Sequence, residues 1–275
     1  MSKDKRARFG IFSIGESLIG IILATAIASP QSIAQSQADQ AWKVLRAGVA
    51  HSSAETRVKA IRAMDILVKN PEAEKIAIAA LKDKNSDVQV AGVLTLGSIG
   101  SSAALPEIKK LAPTAGATLI FAIANTLYKL NDQEAYEIYY AAVTKERKSG
   151  EGLVESQMKM LKNSKAMAQV GFEAGIGFVP FGGLGYGAYK MVTKDDESPV
   201  RAAAALKLAT DKDPKSAKAL AIAADDEKWM VRAAAIASIG MRGDASLLTA
   251  VKPHLEDKND TVRFNAAACI IRLSK

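Results

Sequence analysis

Apolar residues recur along the chain at the spacing of an α-helix, in segments that themselves recur about every 31 residues. Each segment starts with Val or Leu and places apolar or small residues three to four and eight positions later, which form one helix face. The six segments start at Val58, Val88, Leu119, Val200, Val231 and Val262. All but one of the intervals between these starts are 30 or 31 residues, which indicates an internal repeat.

A short break and a second amphipathic run follow the segments. Asn70-Pro71 and Asp213-Pro214 are two such breaks, and proline suits the first turn of the next helix because its missing N–H has no helical partner there. The repeating unit is therefore helix, turn, helix. One pair cannot cover its own apolar face, so successive pairs must stack. The sequence predicts an all-α fold, an α-solenoid of stacked helix–turn–helix repeats.

The repeats fall into two blocks separated by an insertion. The long interval between Leu119 and Val200 is 81 residues, which equals one period plus about 50 residues. We expect a cap helix and three repeats at 35–147, a helical and glycine-rich insertion at 148–198, and C-terminal repeats at 199–275. Residues 37–48 form the predicted cap at the N-terminal end of the array. The last repeat stops after one helix, so it is either incomplete or a second cap.

The repeats carry a sequence motif as well as a period. Residues 200–204 and 231–235 read Val-Arg-x-Ala-Ala, and several segments are preceded by Asp or Glu. This motif resembles the HEAT repeat. The short period, together with Gly97 and Gly240, is most similar to the compact HEAT-like repeats of the phycobilisome-lyase type. The resemblance implies the solenoid fold and says little about function.

In the HEAT family, Asp and Arg residues of successive repeats form ladders between repeats. The resemblance therefore implies a ladder role for Arg57, Asp87, Arg201, Arg232, Asp260 and Arg263. Two repeats depart from the pattern, since Gln89 and Ile120 stand at the arginine position. We expect the ladder to be interrupted there.

The first 34 residues have the order of a secretory signal peptide. Basic residues at positions 3 to 8 precede an uncharged run at Ser17–Ala28, and Ser32-Ile33-Ala34 offers a small-x-small cleavage site. The run is shorter than the roughly 20 residues of a transmembrane helix. We expect export to the periplasm or cell envelope with cleavage after Ala34, or as a second choice after Ala28. The alternative is an uncleaved anchor that spans a membrane with Phe9–Ala28.

Residues 170–192 within the insertion combine seven glycines with five aromatic residues. Gly171 and Gly175, like Gly183 and Gly187, are four residues apart, the spacing of small residues at close helix–helix contacts. Two interpretations stay open: a segment that packs on the solenoid or docks a partner, and a glycine-zipper hairpin that contacts a membrane. The candidate partner-binding residues are Phe172, Phe178, Phe181, Tyr186 and Tyr189, with Trp229 as a lesser candidate that alternatively caps the fifth repeat.

Composition and charge narrow the function further. The formal net charge is +8, with one cysteine and two histidines among the 275 residues. The single Cys269 excludes an internal disulfide and a cysteine-based zinc site, and we expect it to be buried and inert, whereas we expect His254 to be solvated. No nucleophile–base arrangement, Walker loop or metal-binding motif occurs in the sequence. We therefore predict no enzyme activity, no cofactor, no metal and no small-molecule substrate.

The excess of Lys and Arg over Asp and Glu favours acidic partners. The Lys and Arg residues are scattered and lack interleaved aromatic residues, which argues against nucleic acid. The sequence thus predicts an exported, non-catalytic scaffold that mediates protein–protein interaction. Three alternatives stay open. They are a membrane-associated envelope protein held by its N-terminus or its glycine-rich hairpin, a lyase-like protein suggested by the resemblance, and a cytosolic nucleic-acid-binding HEAT protein, which requires the export signal to be false.

Overall fold

The computed structural model describes residues 30–144 and 197–274, and every regular element in these two ranges is helical. The α-helices are α1 (Pro30–Val49), α2 (Ala54–Ala63), α3 (Pro71–Ala80), α4 (Ser86–Ile99), α5 (Leu105–Lys109), α6 (Ala117–Lys129), α7 (Glu134–Thr144), α8 (Ser198–Lys207), α9 (Pro214–Ala223), α10 (Trp229–Arg242), α11 (Leu248–Val251) and α12 (Asp260–Leu273). The residues of the predicted signal peptide before Pro30 and residues 148–196 of the predicted insertion lie outside the described ranges. The last residue of the predicted insertion, Ser198, is the first residue of α8. The predicted cleavage site after Ala34 falls within α1.

Side-chain caps and glycines set the helix boundaries. The Oδ1 atoms of Asn70, Asn85 and Asn259 each accept hydrogen bonds from two backbone N–H groups in the first turn of the following helix. Such caps satisfy donors that have no partner within the helix. Gly100 and Gly243 end α4 and α10 with φ of 78° and 73°, a left-handed conformation that favours glycine. These boundaries produce the helix–turn–helix unit that the sequence predicts.

Six helices stack side by side in the order α8, α10, α12, α2, α4, α6. Of the remaining helices, α9 packs against α10, α3 against α4 and α7 against α6. The prediction of an all-α solenoid of stacked helical repeats is therefore confirmed. The order in space differs from the order along the chain, because the C-terminal block precedes the N-terminal block in the stack.

Alanine allows the stacked helices to approach closely. Ala233–Ala235 in α10 and Ala266–Ala268 in α12 are fully buried, and leucine, isoleucine and valine fill most of the remaining core. Short side chains at these positions leave room for the backbone of the neighbouring helix, and the aliphatic residues supply the apolar area that stabilises the stack. None of the helices in the described ranges combines the length and hydropathy that crossing a membrane requires.

The N-terminal helix α1 does not cap the end of the array, and that prediction is wrong. α1 packs against both α12 and α2, the place that α3 takes beside α2 and α4. It thus supplies the second helix of the repeat whose first helix is the C-terminal α12. The last repeat is therefore completed by the other end of the chain.

Polar contacts reinforce this junction between the chain ends. The Thr56 hydroxyl donates a hydrogen bond to the Asp260 carboxylate, with 3.5 Å between the oxygens, and Arg272 donates to the carbonyl oxygen of Ile66. The side chain of Ile66 also lies against Gly240 of α10. The six repeats consequently form one continuous stack. Its two ends are the α8–α9 repeat and the α6–α7 repeat, and residues 145–196 connect them along the chain.

Candidate protein-interaction surfaces

Arginine–aspartate pairs join successive repeats. Arg57 Nη2 lies 2.8 Å from Asp83 Oδ1, and Arg232 Nε lies 2.8 Å from Asp257 Oδ2. Arg201 likewise pairs with Asp226. Each arginine sits in the first helix of one repeat, and each aspartate sits in the turn that precedes the first helix of the next. The pairs therefore fix the spacing between neighbouring repeats.

Two acids predicted for the ladder do not belong to it. Asp87 is exposed on the first turn of α4, and Asp260 pairs with Arg263 of its own helix, three residues later. Both acids come after the turn, so they lie beyond the guanidinium of the preceding repeat. The aspartates that do pair with the ladder arginines could have been identified from the sequence, because Asp226 and Asp257 are separated by the same 31-residue period as the repeats.

The ladder is interrupted where another residue replaces the arginine and where another residue replaces the aspartate. Gln89, at the arginine position of the second repeat, donates only to the carbonyl oxygen of Asp83, and Ile120 is buried. A further interruption lies between α12 and α2, where His51 occupies the aspartate position. Its Nδ1 accepts the N–H of Ser53 at 3.0 Å, as Asp257 Oδ1 accepts that of Asn259 at 2.8 Å.

Aromatic residues cluster on the last repeat in the stack. Tyr128 and Tyr136 meet edge to face with ring centroids 6.0 Å apart, and Tyr139 lies 6.4 Å from each of them. The Tyr139 hydroxyl donates to Asn125 Oδ1 at 2.6 Å, and burial raises the pKa of Tyr139 to about 12. Tyr139 and Phe121, which packs on it, are partly buried and support the outer rings.

The outer rings form an exposed surface, which we call the tyrosine face. It consists of Tyr128, Tyr136 and Tyr140, which are 51%, 39% and 58% exposed. Rigid tyrosines that are partly exposed are typical of binding hot spots, because they offer a large contact area at low conformational cost. Sequence reasoning missed this surface, although four of the six tyrosines fall between residues 128 and 140.

The repeat register shows where Tyr128 points. Gly97 and Gly240 occupy the same repeat position as Tyr128, eight residues after the arginine position. A Cβ atom at Gly97 would lie 3.1 Å from Thr126 in the next stacked helix, and one at Gly240 would lie 3.4 Å from Cys269 Sγ. This position therefore faces the following repeat. Tyr128 faces the place that a further repeat would occupy.

The opposite end of the stack exposes small and basic residues, which we call the alanine face. It consists of Val200, Ala203, Ala204 and Lys207 on one side of α8, all exposed. The equivalent residues one period later on α10 are Val231, Ala234, Ala235 and Ser238, and all four are buried. The α8 residues are exposed because no preceding repeat stacks on them within the described ranges.

The large apolar and aromatic side chains that are exposed in the described residues are concentrated at the two ends of the stack. Six large apolar or aromatic side chains are exposed in these ranges: Val68, Tyr128, Tyr136, Tyr140, Val200 and Ile222. All of them except Val68 belong to the two terminal repeats. Exposed apolar patches of this kind mark interaction sites in soluble proteins.

Most of the other predicted site residues have a structural role or lie outside the described ranges. Phe172, Phe178, Phe181, Tyr186 and Tyr189 lie outside them. Trp229 is the first residue of α10 and packs, partly buried, against the core. Cys269 is buried as expected, and burial raises the pKa of its thiol.

His254 is buried, so the prediction of a solvated side chain is wrong. The segment Lys252–Glu256 forms a 3-10 helix rather than continuing α11, and this turn directs His254 inward. Its Nε2 lies 3.2 Å from Asp225 Oδ1 and its Nδ1 lies 3.7 Å from Asp257 Oδ2. The histidine therefore packs beside the ladder. In residues 30–144 and 197–274, no group of three or more His, Cys, Asp or Glu residues is placed to hold a metal ion.

The match to one protein family agrees with the repeat architecture. The profile of the family described as HEAT repeats matches residues 42–127 and 188–271, which is more than half of the chain. Among solved structures, the chain is similar to one from the complex of CpcE and CpcF of phycocyanin lyase from Nostoc sp. PCC7120. The identity is 18%, the match covers 84% of this chain and 94% of that one, and the TM-score is 0.34. No curated protein sequence matches the chain.

Proposed function

Because the chain belongs to the HEAT-repeat family, we propose that it is an exported, non-catalytic scaffold that binds a protein partner. The observation that carries this proposal is the tyrosine face at the end of the stack. Tyr128 occupies a position that is glycine in two other repeats, where the next helix packs directly on it. A half-exposed tyrosine at a stacking position supports the binding of another folded surface at this end.

The remaining parts of the proposal rest on the sequence. Export to the periplasm or cell envelope rests on the order of basic, apolar and small residues before Gln35. The absence of enzymatic function rests on the lack of catalytic and cofactor-binding motifs in the whole sequence. A repeat scaffold needs neither, since stacked repeats provide an extended surface and a few anchors provide most of the affinity.

Photo-crosslinking from the tyrosine face tests the proposal. A photoreactive aromatic amino acid replaces Tyr128 in the full chain, which is expressed in its native host and irradiated in intact cells. We expect one discrete protein adduct from position 128. The matched control places the same amino acid at Lys258, an exposed residue in a turn near the middle of the stack.

Two results would contradict the proposal. One is the absence of any protein adduct from position 128, and the other is the same adduct from position 258. A Tyr128→Ala variant completes the test once the adduct is identified. Because hot-spot residues contribute at least about 2 kcal/mol, we expect the affinity for that protein to fall by about 30-fold.

A further inference from the structure

We propose that the protein partner is a second copy of this chain, whose alanine face docks on the tyrosine face of the first. This inference rests on the proposed function, since it names the occupant of the same surface. The resulting contact is head to tail. Each copy uses one end of its stack to bind the opposite end of its neighbour.

The repeat register makes the two ends complementary. The exposed face of α8 is equivalent to the face of α10 that packs against α8. The exposed face of α6 is equivalent to the face of α4 that packs against α6. A second copy placed at the end of the stack therefore continues the existing packing. Within the described ranges, the other stacking faces are already covered by the neighbouring repeat.

The register also identifies which side chains meet. Within the stack, Thr126 of α6 lies over Gly97 of α4, and Cys269 of α12 lies over Gly240 of α10. The residue of α8 at the position of Thr126 and Cys269, six after the arginine position, is Lys207. Stacking of two copies thus brings the Lys207 ammonium of one to the Tyr128 ring of the other. An ammonium over a tyrosine ring is a favourable cation–π contact.

Size and charge complement each other across this contact. Tyr128 and its neighbours project from one end, whereas Ala203 and Ala204 leave a shallow surface on α8 into which large rings fit. On the α9 side, Lys215 and Lys218 are exposed one turn apart beside Ile222, which is 76% exposed.

Acidic residues occupy the matching side of the other end. Glu134 and Glu137 lie on exposed positions of α7 next to Tyr136, and Glu134 stays 63% exposed although it pairs with Lys109. Basic and acidic surfaces placed in this way favour one docking orientation over its reverse. Because the two faces differ, the contact is heterologous, and it produces chains of copies or closed rings rather than only symmetric dimers.

Two variants that each block one face test this inference. Tyr128→Asp removes the ring from the tyrosine face, and Ala203→Arg places a long charged side chain on the alanine face. Ala203 is exposed, so we expect the Ala203→Arg variant to be as stable as the unmodified chain. Tyr128→Asp also removes the edge-to-face contacts with Tyr136 and Tyr139, so the helical fold of this variant is verified by circular dichroism before its assembly is measured. Sedimentation velocity of the purified full chain, over a range of concentrations, gives the assembly state.

We expect the unmodified chain to form species that grow with concentration, and each variant alone to remain monomeric. An equimolar mixture of the two variants should form a dimer and nothing larger, because each variant retains one intact face. A monomer at every concentration of the unmodified chain would overturn the inference. So would a dimer formed by the Ala203→Arg variant alone, since this means that two tyrosine faces meet symmetrically.

The two proposals fail separately. If the chain does not self-associate but position 128 crosslinks to a different protein, the scaffold function stands and the second copy is wrong as partner. If position 128 crosslinks only to residues 145–196 of its own chain, both proposals fail. An adduct with twice the mass of the chain, combined with the mixed dimer, supports both.

Discussion

Replacing Gly48 by Leu is expected to lower the free energy of unfolding by about 3 kcal/mol or more, because overpacking of a filled contact forces its neighbours apart. A Cβ atom at Gly48 would lie 2.5 Å from the ring of Phe264 and 2.7 Å from the Cβ of Ala60. Phe264 belongs to α12 and Ala60 to α2, so the new side chain enters the point where three helices meet. Both neighbours are buried.

The neighbouring position provides the control. Ala47 is exposed on the other side of α1, so Ala47→Leu should change the free energy of unfolding by no more than about 0.5 kcal/mol. Urea denaturation of the two variants and the unmodified chain measures the difference. Equal stability of the two variants would show that α1 does not pack between α12 and α2.

The second large effect is expected for Arg232→Leu, which should lower the free energy of unfolding by about 3 to 5 kcal/mol. Arg232 donates to Asp257 from Nε and Nη2 at 2.8 and 3.0 Å. Its Nη1 donates to the carbonyl oxygens of Asp226 and Glu227 at 2.9 and 3.0 Å. The Asp257 side chain is only 8% exposed. The substitution therefore leaves a buried carboxylate without its cation.

The pH dependence distinguishes this cause from a simple loss of packing. Although burial opposes it, the hydrogen bonds from Arg232 and from the N–H of Asn259 hold the pKa of Asp257 below its ordinary value. Its stabilising contribution is therefore present above the ordinary aspartate pKa and is lost as the pH falls through the lowered one. In the Arg232→Leu variant only the burial and the weaker bonds remain, so we expect Asp257 to be protonated more easily.

The deficit of the variant should consequently be smaller at pH 4 than at pH 7. Urea denaturation at both values measures it, and a second substitution, Asp257→Leu, should recover part of the loss at pH 7 because it removes the unpaired charge. An equal loss of unfolding free energy at pH 4 and pH 7, with no recovery in the double variant, would contradict this explanation. It would mean that the loss does not come from an unpaired, buried Asp257 carboxylate.

The sequence was sufficient to predict the repeating unit but not the order of the repeats in space. The helix period, the Asn and Pro residues at the breaks and the 31-residue interval are local signals, and each gave the correct element. The packing of α12 against α1 and α2 is different, because it brings together helices from distant parts of the chain. One contact in it, between Thr56 of α2 and Asp260 of α12, joins residues 204 positions apart. A period read along the chain cannot show which two repeats are neighbours when an insertion separates the blocks.

The two exposed faces proposed as interaction surfaces could not be identified from the sequence for a related reason. The exposure of Val200, Ala203 and Ala204 depends on α8 being first in the stack, and the equivalent alanines of α10 are buried although the two segments share the motif Val-Arg-Ala-Ala-Ala. Position in the array, not residue type, decides which copy of the motif is a surface. The ladder acids, in contrast, could have been predicted from the sequence, since Asp226 and Asp257 follow the repeat period.

The central claim is that the N-terminal helix completes the C-terminal repeat. The most direct test is to cut the chain between its two blocks. A specific protease site is inserted between residues 145 and 196 of the full chain, the chain is cut under native conditions, and the fragments are sized by gel filtration with mass detection. Packing of α12 against α1 and α2 predicts that the two fragments remain together in equal amounts until denaturant is added. Separation of the two fragments under native conditions would contradict the continuous stack.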